Sequence, residues 1–361
     1  MASAVASVGV RLGIIEGFFG RPWTWAERRT VVETLAPFGY CFYHYAPKAD
    51  PHLRRRWTTP HPLEQANQIK SFADFCRDLG VAFGLGLSPY EAFNDFNPTL
   101  RSKFVSRIED LAAFGITELG IFFDDMHVNL PDLAARQIDI VHLAQHSAPH
   151  LKLSTTPSFY SDDPILERVF GKCPPDYLAD LGNGLDPAID VYWTGEEVCS
   201  REISPGHLAR ITNLLGRKPL LWDNYPVNDG PRMSQFLHVR GFTGRPSSLA
   251  RHVAGHAINP ASQPILSCIP AITLARSYAL GEDYCYGSEG FAASCHVLGE
   301  PLAAMLRADM LSFQDIGLMR LESRIGGLIA RYQAVDHPAA REIVGWLSGE
   351  YAITGEEVQT Q

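Results

Sequence analysis

The feature that most constrains the fold is a regular alternation of short apolar segments with amphipathic segments between residues 8 and 281. Eight segments have the character of strands, among them "RLGIIEGFFG", "YCFYHYAPK" and "ELGIFFDD", and each is followed by a helical pattern or a loop. These segments are apolar on both faces, which is typical of strands buried in a parallel sheet. Eight such units over about 275 residues predict an α/β fold, a (β/α)8 barrel of the TIM type.

A doubly wound parallel sheet is the alternative arrangement of the same elements. Such sheets usually carry a G-x-G-x-x-G turn after the first strand. Here the first strand runs into "EGFFG", which does not match that turn, and the chain has no G-x-x-x-x-G-K-[ST] loop. The barrel is therefore the favoured prediction.

The strand pattern stops near residue 282, and the segments that follow have helical periodicity, as in "PLAAMLRADMLSFQDIGLMRL". We therefore predict two regions: a (β/α)8 barrel at residues 8–281 and a small helical C-terminal region at residues 282–361. The helical region could pack on the barrel, form a homodimer contact, or do both.

Composition and charge narrow the class of protein. The chain has 361 residues and a net charge of −9, which disfavours general nucleic-acid binding because that needs a basic surface. "MASAVASVGV" is a poor signal peptide, and no apolar run is long enough to span a membrane. The seven cysteines include no C-x-x-C pair, which indicates reduced thiols in a cytoplasmic protein.

Barrel enzymes place their chemistry where strands end and the following loops begin. At the predicted strand ends this chain carries carboxylates, amides, a lysine, a tyrosine and tryptophans. Sugar hydroxyls need such donors and acceptors, and the apolar faces of a pyranose pack on aromatic rings. Each residue alone could be a turn or cap residue, but their number favours a functional site. The candidates are Gly17, Lys48, Asp124, Asp125, Tyr160, Thr194, Trp222, Asn224, Asp229 and Asn259.

The adjacent carboxylates of Asp124 and Asp125 follow the apolar run "ELGIFF" directly. An aspartate at a strand end often begins a turn or caps a helix, which is the structural interpretation. The functional interpretation is a pair of carboxyl groups whose pKa values are driven apart by crowding and desolvation, so that one is protonated while the other is ionised.

Six motifs appear in order along the chain: "IIEGFFGRPWTWAERR", "YAPKAD", "FFDD", "VYWTG", "LLWDNYPVND" and "INP". Together they closely resemble the catalytic domain of glycoside hydrolase family 84, which includes the O-GlcNAcases and bacterial β-N-acetylglucosaminidases. The resemblance covers roughly residues 10 to 282. It implies a (β/α)8 barrel that hydrolyses terminal β-linked GlcNAc with retention, without a metal or other cofactor.

The resemblance also implies substrate-assisted catalysis, in which the nucleophile belongs to the sugar. In this family the 2-acetamido oxygen attacks the anomeric carbon and forms an oxazoline. By the resemblance, Asp124 polarises the acetamido N–H, and Asp125 is the general acid and base. Tyr160 would bond the acetamido oxygen, and Trp222 and Thr194 would line the acetyl pocket. The contacts to sugar hydroxyls or to the acetamido group would come from Gly17, Lys48, Asn224, Asp229 and Asn259.

The chain departs from the family pattern at two places. The third strand ends in "LSPYEAF", where many relatives have Pro-Gly, so this loop is expected to have a different shape. Thr156 stands where relatives often carry Cys or a small apolar residue, which leaves the size of the acetyl pocket open. Asp223, inside "WDN", is interpreted as supporting structure.

Two alternatives stay open at the level of the sequence. One is a non-catalytic barrel that binds GlcNAc or a glycopeptide. The other is a metal-dependent hydrolase, for which His44 and His127 are the candidate ligands near strand ends. The expected partner is a β-GlcNAc-bearing glycoside or glycoprotein, with no nucleic acid and no membrane. The sequence does not specify the aglycone, which could be a protein, a glycan or a cell-wall fragment.

Overall fold

Eight parallel strands close into a barrel in sequence order, with β8 pairing with β1. The computed structural model describes residues 9–353. The predicted (β/α)8 class is confirmed. The strands are β1 (Leu12–Glu16), β2 (Tyr40–Tyr45), β3 (Ala82–Leu87), β4 (Glu118–Phe122), β5 (Lys152–Thr156), β6 (Asp190–Trp193), β7 (Leu220–Asp223) and β8 (Gly255–Ile258).

Helices follow the strands and cover the outside of the barrel, as the amphipathic segments predict. They are α1 (Trp25–Leu35), α2 (Leu63–Asp78), α3 (Pro98–Ala112), α4 (Leu133–Ser147), α5 (Ile165–Phe170), α6 (Tyr177–Gly184), α7 (Pro205–Leu215) and α8 (Pro264–Leu280). Helix α1 begins at a reciprocal cap. The Thr24 hydroxyl accepts from the Glu27 N–H at 3.2 Å, and the Glu27 carboxylate accepts from the Thr24 N–H at 2.6 Å.

A small apolar core fills the barrel beneath the C-terminal ends of the strands. Phe122 and Tyr192 meet edge to face with ring centroids 5.7 Å apart, and Trp222 contacts both rings from the top of this core. Trp222 is only 5% exposed. This packed layer is the floor on which the polar strand ends stand.

The chain after α8 is helical up to residue 347, with α9 (Tyr286–Leu298), α10 (Glu300–Leu311), α11 (Leu318–Leu321), α12 (Ile325–Gln333) and α13 (Pro338–Leu347). Helices α9 and α13 pack against α8 of the barrel. The division into regions at 8–281 and 282–361 stays a prediction, and its outer limits, residues 8 and 361, lie outside the described residues. Most of the segment "MASAVASVGV", which was interpreted as a poor signal peptide, also lies outside the described residues.

In the described part of the chain, no helix combines the length and the apolar character needed to cross a membrane.

Candidate active site

A pocket opens at the C-terminal ends of the barrel strands and spans about 480 Å³ of space not filled by protein atoms, including space that faces solvent. The structure brings all ten candidate residues to its wall. They are Gly17, Lys48, Asp124, Asp125, Tyr160, Thr194, Trp222, Asn224, Asp229 and Asn259. The parallel strands place their ends at one rim, so residues far apart in sequence converge here. Their individual chemical roles stay predictions.

Five further residues line the same pocket: Phe19, Thr156, Val198, Cys199 and Val227. Thr156 was noted in the sequence only for its departure from the family pattern. The others were missed, because apolar loop residues carry no signal that separates a pocket wall from a core position.

The first of the two adjacent aspartates, Asp124, is buried and ion-paired. The Lys48 ammonium contacts its Oδ2 and lies 3.6 Å from Oδ2 of Asp125. Burial by itself would raise the pKa of Asp124, but the charges of Lys48 and Arg54 outweigh burial and lower this pKa below its ordinary value. Asp124 is therefore a carboxylate at neutral pH. Its other oxygen, Oδ1, is buried and has no hydrogen-bond partner among residues 9–353.

The second aspartate, Asp125, lies closer to solvent and has a different set of partners. Its Oδ1 accepts a hydrogen bond of 2.9 Å from the Tyr160 hydroxyl. Burial, followed by the charges of Asp125 and Asp124, raises the pKa of Tyr160 well above its ordinary value, so the phenol keeps its proton and acts as a donor. The role predicted for Tyr160 toward the acetamido oxygen stays a prediction, and in this structure its hydroxyl bonds Asp125.

A chain of hydrogen bonds connects the ends of β7, β8 and β1 across the pocket floor. Oδ1 of Asn224 accepts from Nε1 of Trp222 at 3.0 Å and from Nδ2 of Asn259 at 2.9 Å. Oδ1 of Asn259 accepts in turn from the Gly17 N–H at 3.2 Å. Nδ2 of Asn224 donates to the Val198 carbonyl at 2.7 Å. One N–H of Asn224 is therefore left for a ligand, while its oxygen already has two donors.

Two more candidates are held by the backbone of neighbouring loops. Oδ2 of Asp229 accepts from the Phe19 N–H at 2.8 Å, which ties the loop after β7 to the loop after β1. The Thr194 hydroxyl donates to the Glu197 carbonyl at 3.1 Å. That bond occupies the polar end of Thr194. In contrast, the Thr156 hydroxyl is buried and has no partner among the described residues.

Asp223 does not line the pocket but lies behind it in a buried ion pair. Arg245 donates to both of its oxygens at 2.7 Å, and His256 lies 2.9 Å from Oδ2. Burial would raise the pKa of Asp223, but the paired Arg245 and His256 lower it to about 2. This geometry holds the loop that carries Arg245 against β7.

The two histidines considered as metal ligands lie in different surroundings. His44 is inside the barrel, with Nε2 2.8 Å from Glu118 and Nδ1 2.7 Å from the Tyr192 hydroxyl. His127 packs against the ring of Phe170. Between residues 9 and 353, no three His, Cys, Asp or Glu side chains are grouped as a metal ion would require.

Comparison with known proteins shows which family this chain is similar to. A family model described as beta-N-acetylglucosaminidase matches residues 12–307. Protein O-GlcNAcase from Rattus norvegicus and from Mus musculus are each 27% identical to this chain over 282 residues, which is 74% of this chain and 30% of theirs. The chain therefore spans less than a third of the length of these curated relatives. Among solved structures, a mutant O-GlcNAc hydrolase from Thermobaculum terrenum superposes with a TM-score of 0.76 at 29% identity, covering 94% of this chain and 80% of that one.

Proposed function

This chain belongs to the beta-N-acetylglucosaminidase family, glycoside hydrolase family 84, and on that premise we propose that it is a retaining exo-β-N-acetylglucosaminidase of the O-GlcNAcase type. It removes terminal β-linked GlcNAc by substrate-assisted catalysis through an oxazoline intermediate. The catalytic region is the barrel at residues 8–281, and the helical region at residues 282–361 supports it.

The observation that carries this proposal is the unequal environment of the two oxygens of Asp124. Oδ2 is neutralised by Lys48, whereas Oδ1 is buried without a partner among the described residues. An unsatisfied buried acceptor costs about 1–3 kcal/mol, so the site favours a ligand that brings a hydrogen-bond donor. The 2-acetamido N–H of GlcNAc supplies such a donor. A plain 2-hydroxyl can donate too, but it has no acyl oxygen to attack the anomeric carbon.

In the first step the acetamido oxygen attacks the anomeric carbon and the glycosidic C–O bond breaks. Asp124 accepts the acetamido N–H and stabilises the positive charge that develops on the oxazoline nitrogen. Asp125, hydrogen-bonded to Tyr160, gives its proton to the leaving oxygen. In the second step the Asp125 carboxylate takes a proton from a water molecule, and the water oxygen attacks the anomeric carbon. This attack breaks the bond between that carbon and the oxazoline oxygen, which restores the 2-acetamido group and leaves the configuration retained.

The remaining pocket residues recognise the sugar. Asp229, Asn259 and Lys48 contact hydroxyls, the free N–H of Asn224 donates to the ligand, and the Gly17 backbone lies against the ring. Trp222 and Thr194 line the acetyl pocket. The unpaired hydroxyl of Thr156 adds one polar group to this wall.

The aglycone lies in a larger groove that continues from the pocket. Cys199 and Asn224 line both spaces, and the groove encloses about 1670 Å³, including space that faces solvent. Arg168, Arg201 and Arg232 stand exposed on its wall. A groove of this size accommodates a polypeptide or a glycan, and the similarity to protein O-GlcNAcases supports a glycoprotein.

A homodimer through the C-terminal helices is the second partner that we propose. Leu311, Ile316 and Met319 are exposed near one another in sequence, at 68%, 36% and 77%. A contiguous apolar patch is typical of protein–protein contacts, and we propose that these side chains form part of one. Sedimentation of the full chain tests this point, and a monomer at all concentrations would contradict it.

The experiment that tests the function compares aryl glycosides whose 2-acetamido methyl carries zero to three fluorine atoms. Because fluorine weakens the attacking carbonyl oxygen, kcat/KM should fall steeply along the series. Glucosides with a 2-hydroxyl should be almost inert, and GlcNAc-thiazoline should inhibit strongly. A flat series with a covalent glycosyl-enzyme on an Asp or Glu would overturn the mechanism. Binding of GlcNAc without turnover would favour the non-catalytic alternative, and loss of turnover in EDTA would favour the metal-dependent one.

A further inference from the structure

The backbone of Asp125 has an unusual conformation for a residue with a side chain. Its φ is +56°, in the left-handed region that residues other than glycine adopt uncommonly, although aspartate does so more often than most. Such conformations cost about 1 kcal/mol or more and persist only where the surroundings enforce them. Here the turn lets the chain leave the strand end while the carboxyl group lines the pocket.

Arg54 is the side chain that holds this turn. Its Nη2 donates to the carbonyl oxygen of Asp125 at 3.0 Å, and its Nη1 reaches the carbonyl oxygen of Asp124 at 3.5 Å. Arg54 is only 7% exposed and does not line the pocket. One planar guanidinium therefore bridges the two successive peptide carbonyls of the aspartate pair, a fork geometry that a lysine does not reproduce.

Arg54 is itself fixed by its own loop and by the loop after β3. Its guanidinium lies over the ring of Tyr90 at 5.3 Å, within the "LSPYEAF" segment that departs from the family pattern. Ser88 donates from its N–H to the Leu53 carbonyl at 2.7 Å and joins the two loops. Asp50 accepts from the His52 N–H at 2.9 Å and closes the turn before Arg54.

We infer that Arg54 is a positioning residue for the general acid, fixing the Asp125 carboxyl group relative to Asp124 through the peptide carbonyls of both. This inference rests on the proposed function, because it assigns Arg54 an effect on protonation of the leaving oxygen. Arg54 touches no substrate in this assignment. Loss of its hold lets the Asp125 turn relax and moves the acid away from the scissile bond.

The test uses Arg54→Lys and Arg54→Met on GlcNAc glycosides with leaving groups of different acidity. For Arg54→Lys, which keeps a positive charge but not the fork, kcat/KM should fall at least about 100-fold on alkyl glycosides. It should fall less than about tenfold on dinitrophenyl glycosides, which need little protonation. Arg54→Met should show the same leaving-group dependence and, because a charge that lowers the pKa of Asp124 is gone, an acid limb of activity at higher pH.

Arg55 provides a matched control. Its guanidinium also lies over the Tyr90 ring, at 4.9 Å, but it is exposed and makes no hydrogen bond to either aspartate within the described residues. Arg55→Lys should behave like the wild type on both substrates. An Arg54→Lys loss that is equal on both substrates, or no larger than that of Arg55→Lys, would overturn the inference.

Two further measurements keep the outcome decisive. If the Arg54 variants fail to fold, Tyr90→Leu, which removes the ring beneath the guanidinium, should produce a weaker version of the same leaving-group dependence, and a uniform loss would overturn the inference. The wild-type fluorination series separates the two levels of the argument. A steep wild-type series with an unselective Arg54→Lys refutes only the role of Arg54, whereas a flat wild-type series refutes the proposed function itself.

Discussion

A Cβ atom placed on Gly17 would lie 2.2 Å from Cζ2 of Trp222, well inside van der Waals contact. Trp222 therefore already occupies the space that a side chain at position 17 would need, while the backbone of Gly17 lines the pocket. The tryptophan cannot retreat, because its ring packs against Phe122 and Tyr192 in the barrel core. Gly17 and Trp222 therefore form one fitted unit of the pocket floor.

Gly17→Ala should displace the Trp222 ring and break its hydrogen bond to Asn224. We expect a stability loss of about 1–3 kcal/mol from overpacking and a fall in kcat/KM of at least about tenfold. Urea unfolding and steady-state kinetics measure the two effects. Gly206→Ala, in α7 with no atom within 4 Å of the added methyl, is the control. Wild-type kinetics for Gly17→Ala would contradict the fitted arrangement.

The barrel was predictable because buried parallel strands leave a direct mark in the sequence. Runs such as "ELGIFF" became β4, with every residue buried. The ends of elements were less certain. The sequence "WAERRTVVETLAPFG" predicts a first helix that ends at Gly39, but α1 ends at Leu35, and a tight turn over Ala36–Phe38 follows. Pro37 explains the difference, because it lacks the N–H that another α-helical turn would need.

The polar residues of the site could be predicted from their positions at strand ends, but the residues that hold them in place could not. Arg54 is one arginine among three successive ones, and nothing in the sequence separates it from Arg55 and Arg56. Its contact with Asp125 joins positions 71 residues apart and exists only in the folded barrel. Val198, which lines the pocket, was missed for a different reason. In a sequence, an apolar loop residue that lines a pocket cannot be distinguished from one that packs in the core. The cytoplasmic location also stays a prediction.

Lys48 should set the acid limit of activity through Asp124. Burial raises the pKa of Asp124 and Lys48 opposes it, so Lys48→Met should raise that pKa. Asp124 would then lose its charge at a higher pH, and the acid limb of kcat/KM should move upward by about one pH unit or more. Lys48→Arg, which keeps the charge, should leave the limb nearly in place. An unmoved limb in Lys48→Met, measured over the full pH profile, would contradict this account.

Asp229→Ala should weaken recognition of the sugar hydroxyls and remove the hydrogen bond that Oδ2 of Asp229 accepts from the Phe19 N–H. We expect a loss of at least about 2 kcal/mol in transition-state stabilisation, measured from kcat/KM. The loss should not depend on the leaving group, because Asp229 takes no part in protonation. Kinetics close to the wild type would remove Asp229 from the site.

Glu342 on α13 links the C-terminal helices to the barrel. Its carboxyl oxygens accept from the backbone N–H groups of Ile265 and Leu266 at the start of α8, at 2.9 and 3.0 Å. Burial raises the pKa of Glu342 to about 8, although these two donors and Arg21 oppose the rise. In the unfolded chain the pKa of a glutamate is about 4.3.

Because the folded pKa lies above the unfolded one, the folded protein holds a proton on Glu342 between these values and the unfolded chain does not. The contribution to stability is complete below about pH 4 and is lost as the pH rises through about 8. The free energy of unfolding should therefore fall on the order of 2–4 kcal/mol from pH 5 to pH 8.

Glu342→Gln, which stays neutral, should lack this part of the pH dependence, and Glu300→Gln, at an exposed position on α10, should keep it. Urea unfolding of the three proteins at matched pH isolates the contribution of Glu342, because their other ionisable groups are shared. If the stability of the wild type and of Glu342→Gln depended equally on pH, Glu342 would be ionised in the folded protein, and this prediction would be contradicted.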